Sequence, residues 1–242
     1  MPISRGGGGW GPPAAAGGTA PTVLGSALVA DNELSGVNSR TLTMTGITSA
    51  GTLLSWVGIL TASFAGPVVG NNGNTYTQYF SQDFGADTPD NFTAYTLRGY
   101  RAYTASGGSA HTFNVTKTSG DSGELTLAGL LLSGGTIASS SVVLRDRAGA
   151  GATHTSGSVT ATAPALLVAV CSGRGDVNAT APTQTWPGGW TIHQSVARNS
   201  SAAPNGHVPL YVATKEVAAG TYTVDVQVAI NEGVLLSLAA VQ

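Results

Sequence analysis

The sequence predicts an all-β fold: an antiparallel β-sandwich of jelly-roll type behind an extended Gly/Pro-rich N-terminal arm. Three observations predict it. Stretches of alternating apolar and polar residues recur from Thr22 to the C-terminus, most clearly at 221–230, where Tyr222, Val224, Val226, Val228 and Ile230 fall on one face. Turn-forming clusters separate them, among them Asn72-Gly73, Gly107-Gly108, Gly134-Gly135, Pro187-Gly188-Gly189 and Pro204-Asn205-Gly206. No segment sustains a 3.6-residue apolar period with caps.

The arm, residues 1–20, contains four consecutive Gly and a Pro-Pro pair and has no apolar period, so neither a helix nor a core strand is expected. Ordering such a segment costs ~1–2 kcal/mol per residue. A fixed conformation therefore needs a neighbouring surface, against which Trp10, Pro12 and Pro13 are the expected anchors. The remainder, 21–242, is expected to form the β-sandwich domain. Its candidate strands are 22–30, 40–48, 52–61, 74–80, 94–104, 111–118, 123–132, 140–146, 157–162, 165–172, 190–196, 208–215, 221–230 and 234–241. At 94–104, Tyr95, Leu97 and Gly99 share one face and Thr96, Arg98 and Tyr100 the other. At 111–118, Phe113 and Val115 oppose Thr112, Asn114 and Thr116. The run at 234–241 reads as a buried strand. No internal sequence repeat of fixed period is evident; the two Gly-rich halves resemble each other in composition.

Composition narrows the function classes. Of 242 residues, 10 are Lys or Arg and 12 are Asp or Glu; charged residues make up 9%, against ~25% in a typical soluble domain. The net charge of −2, with only two Lys, argues against nucleic-acid binding, which needs a basic footprint. No apolar run approaches the ~18 residues of a membrane helix. The N-terminus lacks the apolar stretch of a Sec signal peptide. A single cysteine excludes a disulfide framework within the chain. Abundant Thr and Ser with scarce Lys and Glu describe a strand surface built from hydroxyls.

No catalytic, cofactor or metal site is expected. His111, His154, His193 and His207 are not at metal-ligand spacing. Asp83, Asp87 and Asp90 are close in sequence but do not follow the Ca²⁺-loop pattern, and a solvated turn accounts for them. Asp31, Glu33, Glu124 and Glu232 cannot be paired across a cleft from sequence. G-x-S-x-G and the phosphate loop are absent, and Cys171 sits in a strand where a small buried hydrophobe is expected. Arg174-Gly175-Asp176 reads as a turn, and the N-x-[ST] sites at Asn91, Asn114, Asn178 and Asn199 matter only in a secretory context. Trp186 and Trp190 flank Pro187-Gly188-Gly189. They are either a stacking surface for a glycan or a plug closing one end of the sandwich.

The run Val68-Val69-Gly70-Asn71-Asn72-Gly73-Asn74-Thr75-Tyr76-Thr77 is followed by Tyr100-Arg101-Ala102-Tyr103 and His111-Thr112-Phe113-Asn114-Val115-Thr116. Further on come Ala165-Leu166-Leu167-Val168-Ala169-Val170 and Gly188-Gly189-Trp190-Thr191. From about Thr41 to Gln242 this order resembles a β-sandwich module of tailed-bacteriophage virion proteins and bacterial surface proteins. Asn71 stands where such modules often carry Asp, which weakens a metal reading there. The resemblance implies virion structure, decoration or adhesion, and supplies no catalytic residues. Together with the arm it leads to a virion-located decoration, cement or head-fibre protein. The arm would dock on the major capsid protein or another virion protein, and the chain would form a homotrimer. The alternative is a tail-fibre or baseplate protein binding host-surface glycan, in which Trp186 and Trp190 are the expected contacts.

Overall fold

In the computed structural model, the residues described are 18–31, 39–60, 69–84, 95–116, 125–145, 152–173, 184–196, 209–228 and 234–242. The arm anchors Trp10, Pro12 and Pro13 lie outside them. The described residues are all β, with no helix, as the sequence predicts.

Eight strands make the first half: β1 (Val23–Asp31), β2 (Ser39–Met44), β3 (Gly51–Leu60), β4 (Val69–Gly70), β5 (Thr77–Phe84), β6 (Tyr95–Ala105), β7 (His111–Thr116) and β8 (Leu125–Leu132). They pair as β1-β8-β3-β6-β5 in one sheet and β2-β7-β4 in a second, the double Greek-key winding of a jelly roll. The second half contains β9 (Ile137–Arg145), β10 (Ala152–Thr155), β11 (Val159–Ala161), β12 (Ala165–Gly173), β13 (Gln184–Thr185), β14 (Thr191–Val196), β15 (Leu210–Val217), β16 (Gly220–Tyr222), β17 (Asp225–Val228) and β18 (Val234–Val241). These pair as β14-β15-β12-β18-β9, β10-β17-β13 and β11-β16. Counting β10–β11 and β16–β17 as single interrupted strands, the second half repeats the winding of the first, strand for strand.

The sequence reading of no repeat is therefore corrected. Val23 and Ile137, Gly51 and Ala165, Thr77 and Thr191, and His111 and Asp225 open equivalent strands, each pair 114 residues apart. Equivalent strands share burial and register, not residue identity, and so the period is hidden in the sequence. Within the all-β sandwich-like body, two jelly rolls lie in tandem.

Their five-stranded sheets face one another. Leu54, Trp56, Tyr95, Leu97, Leu130 and Leu132 from the first half pack on Leu166, Val168, Val170, Leu210, Val212 and Leu235 from the second. The opposite face of each large sheet packs on its own small sheet, through Leu53, Val57, Leu127 and Phe113 in the first half and Leu167, Cys171, Leu236 and Val226 in the second. The order is small sheet, large sheet, large sheet, small sheet. Strands in the two middle layers are buried on both faces, and this is why β8 (LTLAGLLL), β12 (ALLVAVCSG) and β18 (VLLSLAAV) read as nearly continuous apolar runs. Outer-layer strands alternate instead, as in β7 and β17.

Polar groups also cross the central layer. The Tyr95 hydroxyl donates to Ser172 Oγ, which donates to the Pro209 carbonyl, joining β6 to β12 through buried atoms. Gln194 Nε2 donates to Ser26 Oγ at 2.7 Å, where β14 lies alongside β1. Gly129 marks a close approach: a Cβ there would lie 2.3 Å from Met44 Cε, which reaches in from β2.

The strand predicted at 221–230 is interrupted. β16 and β17 have different partners, yet Val224, Val226 and Val228 remain buried as the alternation requires. Ser156 bridges the gap. Its N–H donates to the Val224 carbonyl at 2.9 Å, and its Oγ accepts the Val224 N–H at 2.9 Å and donates to the Gly157 carbonyl. Three short strands, β4, β10 and β13, go unrecognised in the sequence, being two to four residues long. Ser156→Ala strips the acceptor from a buried N–H and is expected to lower unfolding free energy by ~1–3 kcal/mol, measured by urea denaturation; an unchanged midpoint would show that the bridge is dispensable.

Candidate functional site

The duplicated winding makes two connections equivalent: the one between β4 and β5, and the one between β13 and β14. They carry the two motifs singled out in the sequence, and they do different things.

In the first half, Asn71-Asn72-Gly73-Asn74 forms a turn closed by Asn74 N–H to the Asn71 carbonyl at 3.0 Å. Asn72 and Gly73 take positive φ (55° and 70°), which Asn tolerates and Gly favours. The amides then reach the β6–β7 connection. Asn71 Nδ2 donates to the Ala110 carbonyl at 2.5 Å while its Oδ1 accepts the Thr112 N–H at 2.9 Å. Asn72 exchanges two bonds with Ser109, and Asn74 Oδ1 accepts the Ser106 N–H. That last bond fixes the Asn74 amide, so its Nδ2 donates to Nδ1 of buried His111, and His111 Nε2–H donates to the Ser49 carbonyl at 2.7 Å. Each amide is used as both donor and acceptor, a role Asp cannot fill. These residues clamp two loops together.

In the second half, Trp186 and Trp190 bracket the Pro-Gly-Gly turn with ring centroids 5.6 Å apart and planes 35° from parallel. Both are half-buried and pack on the core between β12, β18 and the second small sheet. The Trp186 Nε1–H is buried without a hydrogen-bond partner among the described residues. The rings therefore pack against that core.

The opposite side of this turn borders a cleft of about 480 Å³, formed where the start of β1 passes over β12, β14 and β15. Its floor is Leu166 and Val23; Thr22, Thr191 and Thr214 add hydroxyls to the walls. His193 Nε2 lies 2.7 Å from Thr214 Oγ1, and burial holds this imidazole below its ordinary pKa, hence neutral at pH 7. Lys215 and Glu216 stand at the rim with Gly189. Lys215 Nζ donates to the Gly188 carbonyl at 3.3 Å. Among the described residues, the side chains of Thr22, Thr191 and Glu216 form no hydrogen bond.

A second cleft of about 420 Å³ lies in the first half, where the start of β9 passes over β3 and β6. Thr136 and Thr52 occupy positions 114 residues before or after Thr22 and Leu166 of the other cleft. Here Tyr103 and Thr52 are bonded to their neighbours. Tyr103 Oη accepts the Ile137 N–H at 2.9 Å and an Arg101 N–H at 2.7 Å, with the guanidinium 4.8 Å from the ring centroid. Thr52 Oγ1 donates to the Gly135 carbonyl at 2.7 Å.

Among the remaining sequence candidates, Asp83 accepts a hydrogen bond from Thr96 at 2.7 Å, and Asp87 and Asp90 lie outside the described residues. So do Glu33, Glu124, Glu232, His207 and Arg174-Gly175-Asp176. Cys171 is fully buried and its thiol is pushed up to about 12 by burial, which leaves it unreactive at neutral pH. No group of three or more His, Cys, Asp or Glu able to hold a metal occurs among the described residues. The cleft escaped the sequence reading because its residues, from Thr22 to Glu216, come from segments up to 194 positions apart in a chain of 242.

Compared with known proteins, the chain matches no family model, no curated protein and no solved structure.

Asn71→Asp keeps the size but removes both amide donors and sets a carboxylate against the Ala110 carbonyl. The expected loss is ~1–3 kcal/mol at pH 7, read from chemical denaturation, with Asn71→Ser intermediate. Equal stability of Asn71→Asp and the parent would contradict the clamp.

Proposed function

We propose that this chain is a non-catalytic structural protein of a tailed-bacteriophage virion, decorating or cementing the capsid through residues 1–20. The observation that carries the reading is the four-layer stack. Two jelly rolls back each other through a shared core, a rigid body suited to bracing and display. Jelly rolls recur in viral capsid and lectin domains, which is an analogy at the level of fold. The outer layers present exposed Thr41, Thr43, Thr153, Thr155, Thr221 and Thr223 in place of charges. Such faces can meet neighbouring subunits without desolvating ion pairs. The Gly/Pro-rich sequence of residues 1–20, with Trp10, Pro12 and Pro13, supplies the anchor in this reading. The partner in this reading is the major capsid protein or another virion protein, and the chain assembles as a homotrimer.

Deleting residues 1–20 is expected to leave a soluble β protein with an unchanged circular dichroism spectrum that no longer co-purifies with particles, and Trp10→Ala should weaken incorporation. Incorporation of the deletion at parental levels would refute the anchoring role.

A further inference from the structure

We infer that the open cleft over β12, β14 and β15 is a binding site for a neutral sugar ring. The inference stands apart from the place of the protein on any particle. It begins from the two clefts at the junctions of the halves, which share the equivalent positions Thr22 and Thr136, and Leu166 and Thr52. In one, Tyr103 Oη accepts the Ile137 N–H and an Arg101 N–H, and Thr52 Oγ1 donates to the Gly135 carbonyl. The other has kept its hydrogen-bonding capacity unspent: the hydroxyls of Thr22 and Thr191 and the carboxylate of Glu216 lack side-chain partners among the described residues.

The chemistry of the lining selects the ligand class. At about 480 Å³, the cleft lies within the ~300–1,000 Å³ common for small-molecule sites. An apolar floor of Leu166 and Val23 suits the C–H face of a pyranose. Hydroxyls, a neutral imidazole and one carboxylate suit its rim of alternating donors and acceptors, and Glu216 can accept from two vicinal hydroxyls at once. A phosphate or sulfate is disfavoured. The single cation of the lining, Lys215, is held by the Gly188 carbonyl, and the lining also carries the Glu216 carboxylate. An apolar ligand would leave the Thr22 and Thr191 hydroxyls and the Glu216 carboxylate dry and unpaired. Trp186 and Trp190 take no part, since they cover the core from the other side of the turn.

The test uses the full chain on an array of neutral and acidic oligosaccharides, followed by saturation-transfer NMR with methyl glycosides of glucose, galactose, mannose and N-acetylglucosamine. Binding to at least one neutral pyranoside is expected. Glu216→Gln and Thr191→Val, both at exposed positions, should each weaken it about tenfold or more with the melting temperature unchanged. Trp186→Phe, a conservative change on the far side of the turn, should leave it intact. Three results would overturn the inference: no neutral sugar bound, binding confined to acidic glycans, or binding lost with Trp186→Phe but indifferent to the cleft variants.

Discussion

Everything in this fold depends on the burial of two five-stranded sheets against each other. A jelly roll ordinarily hides one face of each sheet and wets the other. Here the large sheet of each half is apolar on both faces. Trp56, Leu130 and Leu132 on one side, and Val168, Val212 and Leu235 on the other, have no place except in the shared layer. Each such side chain is worth ~1.5–3 kcal/mol of transfer free energy when removed from water. The bond from Tyr95 to Ser172 adds direction to that contact, because only one placement of the sheets satisfies both hydroxyls and the Pro209 carbonyl. Tyr95 is held protonated by the same burial, which raises its pKa.

The central layer also settles the periphery. Strand β1 lies alongside β14, and β5 alongside β9, so the first strand of each half covers the fifth strand of the other. The long edges of the large sheets are thereby shielded, and the edge strands β4 and β13 of the outer sheets are only two residues long. The same crossing brings the start of one half over the large sheet of its neighbour twice. Two clefts result, and they differ in the side chains that β6 and β15 bring to them.

Much of this was legible in the sequence, and the limits have physical causes. Apolar runs such as LLVAV and VLLSLAAV could be read as strands because turn signals bound them; that they belong to layers covered twice is implicit in their lack of alternation. The alternation at 222–228 stays true through the break at Val224, since burial follows the face of the chain and not its hydrogen-bond partner. Ser156, which makes the break tolerable, sits 68 residues away and carries no local signal. The repeat is concealed because Thr52-Leu53-Leu54-Ser55-Trp56 and Leu166-Leu167-Val168-Ala169-Val170 answer to one pattern of burial with different residues. Trp186 and Trp190 were legible as a pair, being neighbours across a turn. The cleft behind them was not, as Thr22, Leu166 and Thr214 meet only in the folded chain.

The most direct test of the shared layer is native-state hydrogen exchange of the amides in β3 and β8 against those in β12 and β18. If the two halves are held by one common core, these four strands open with a single free energy equal to that of global unfolding. Exchange of one half at a distinctly lower free energy, while the other stays protected, would mean that the jelly rolls stand independently and that the central contact is incidental.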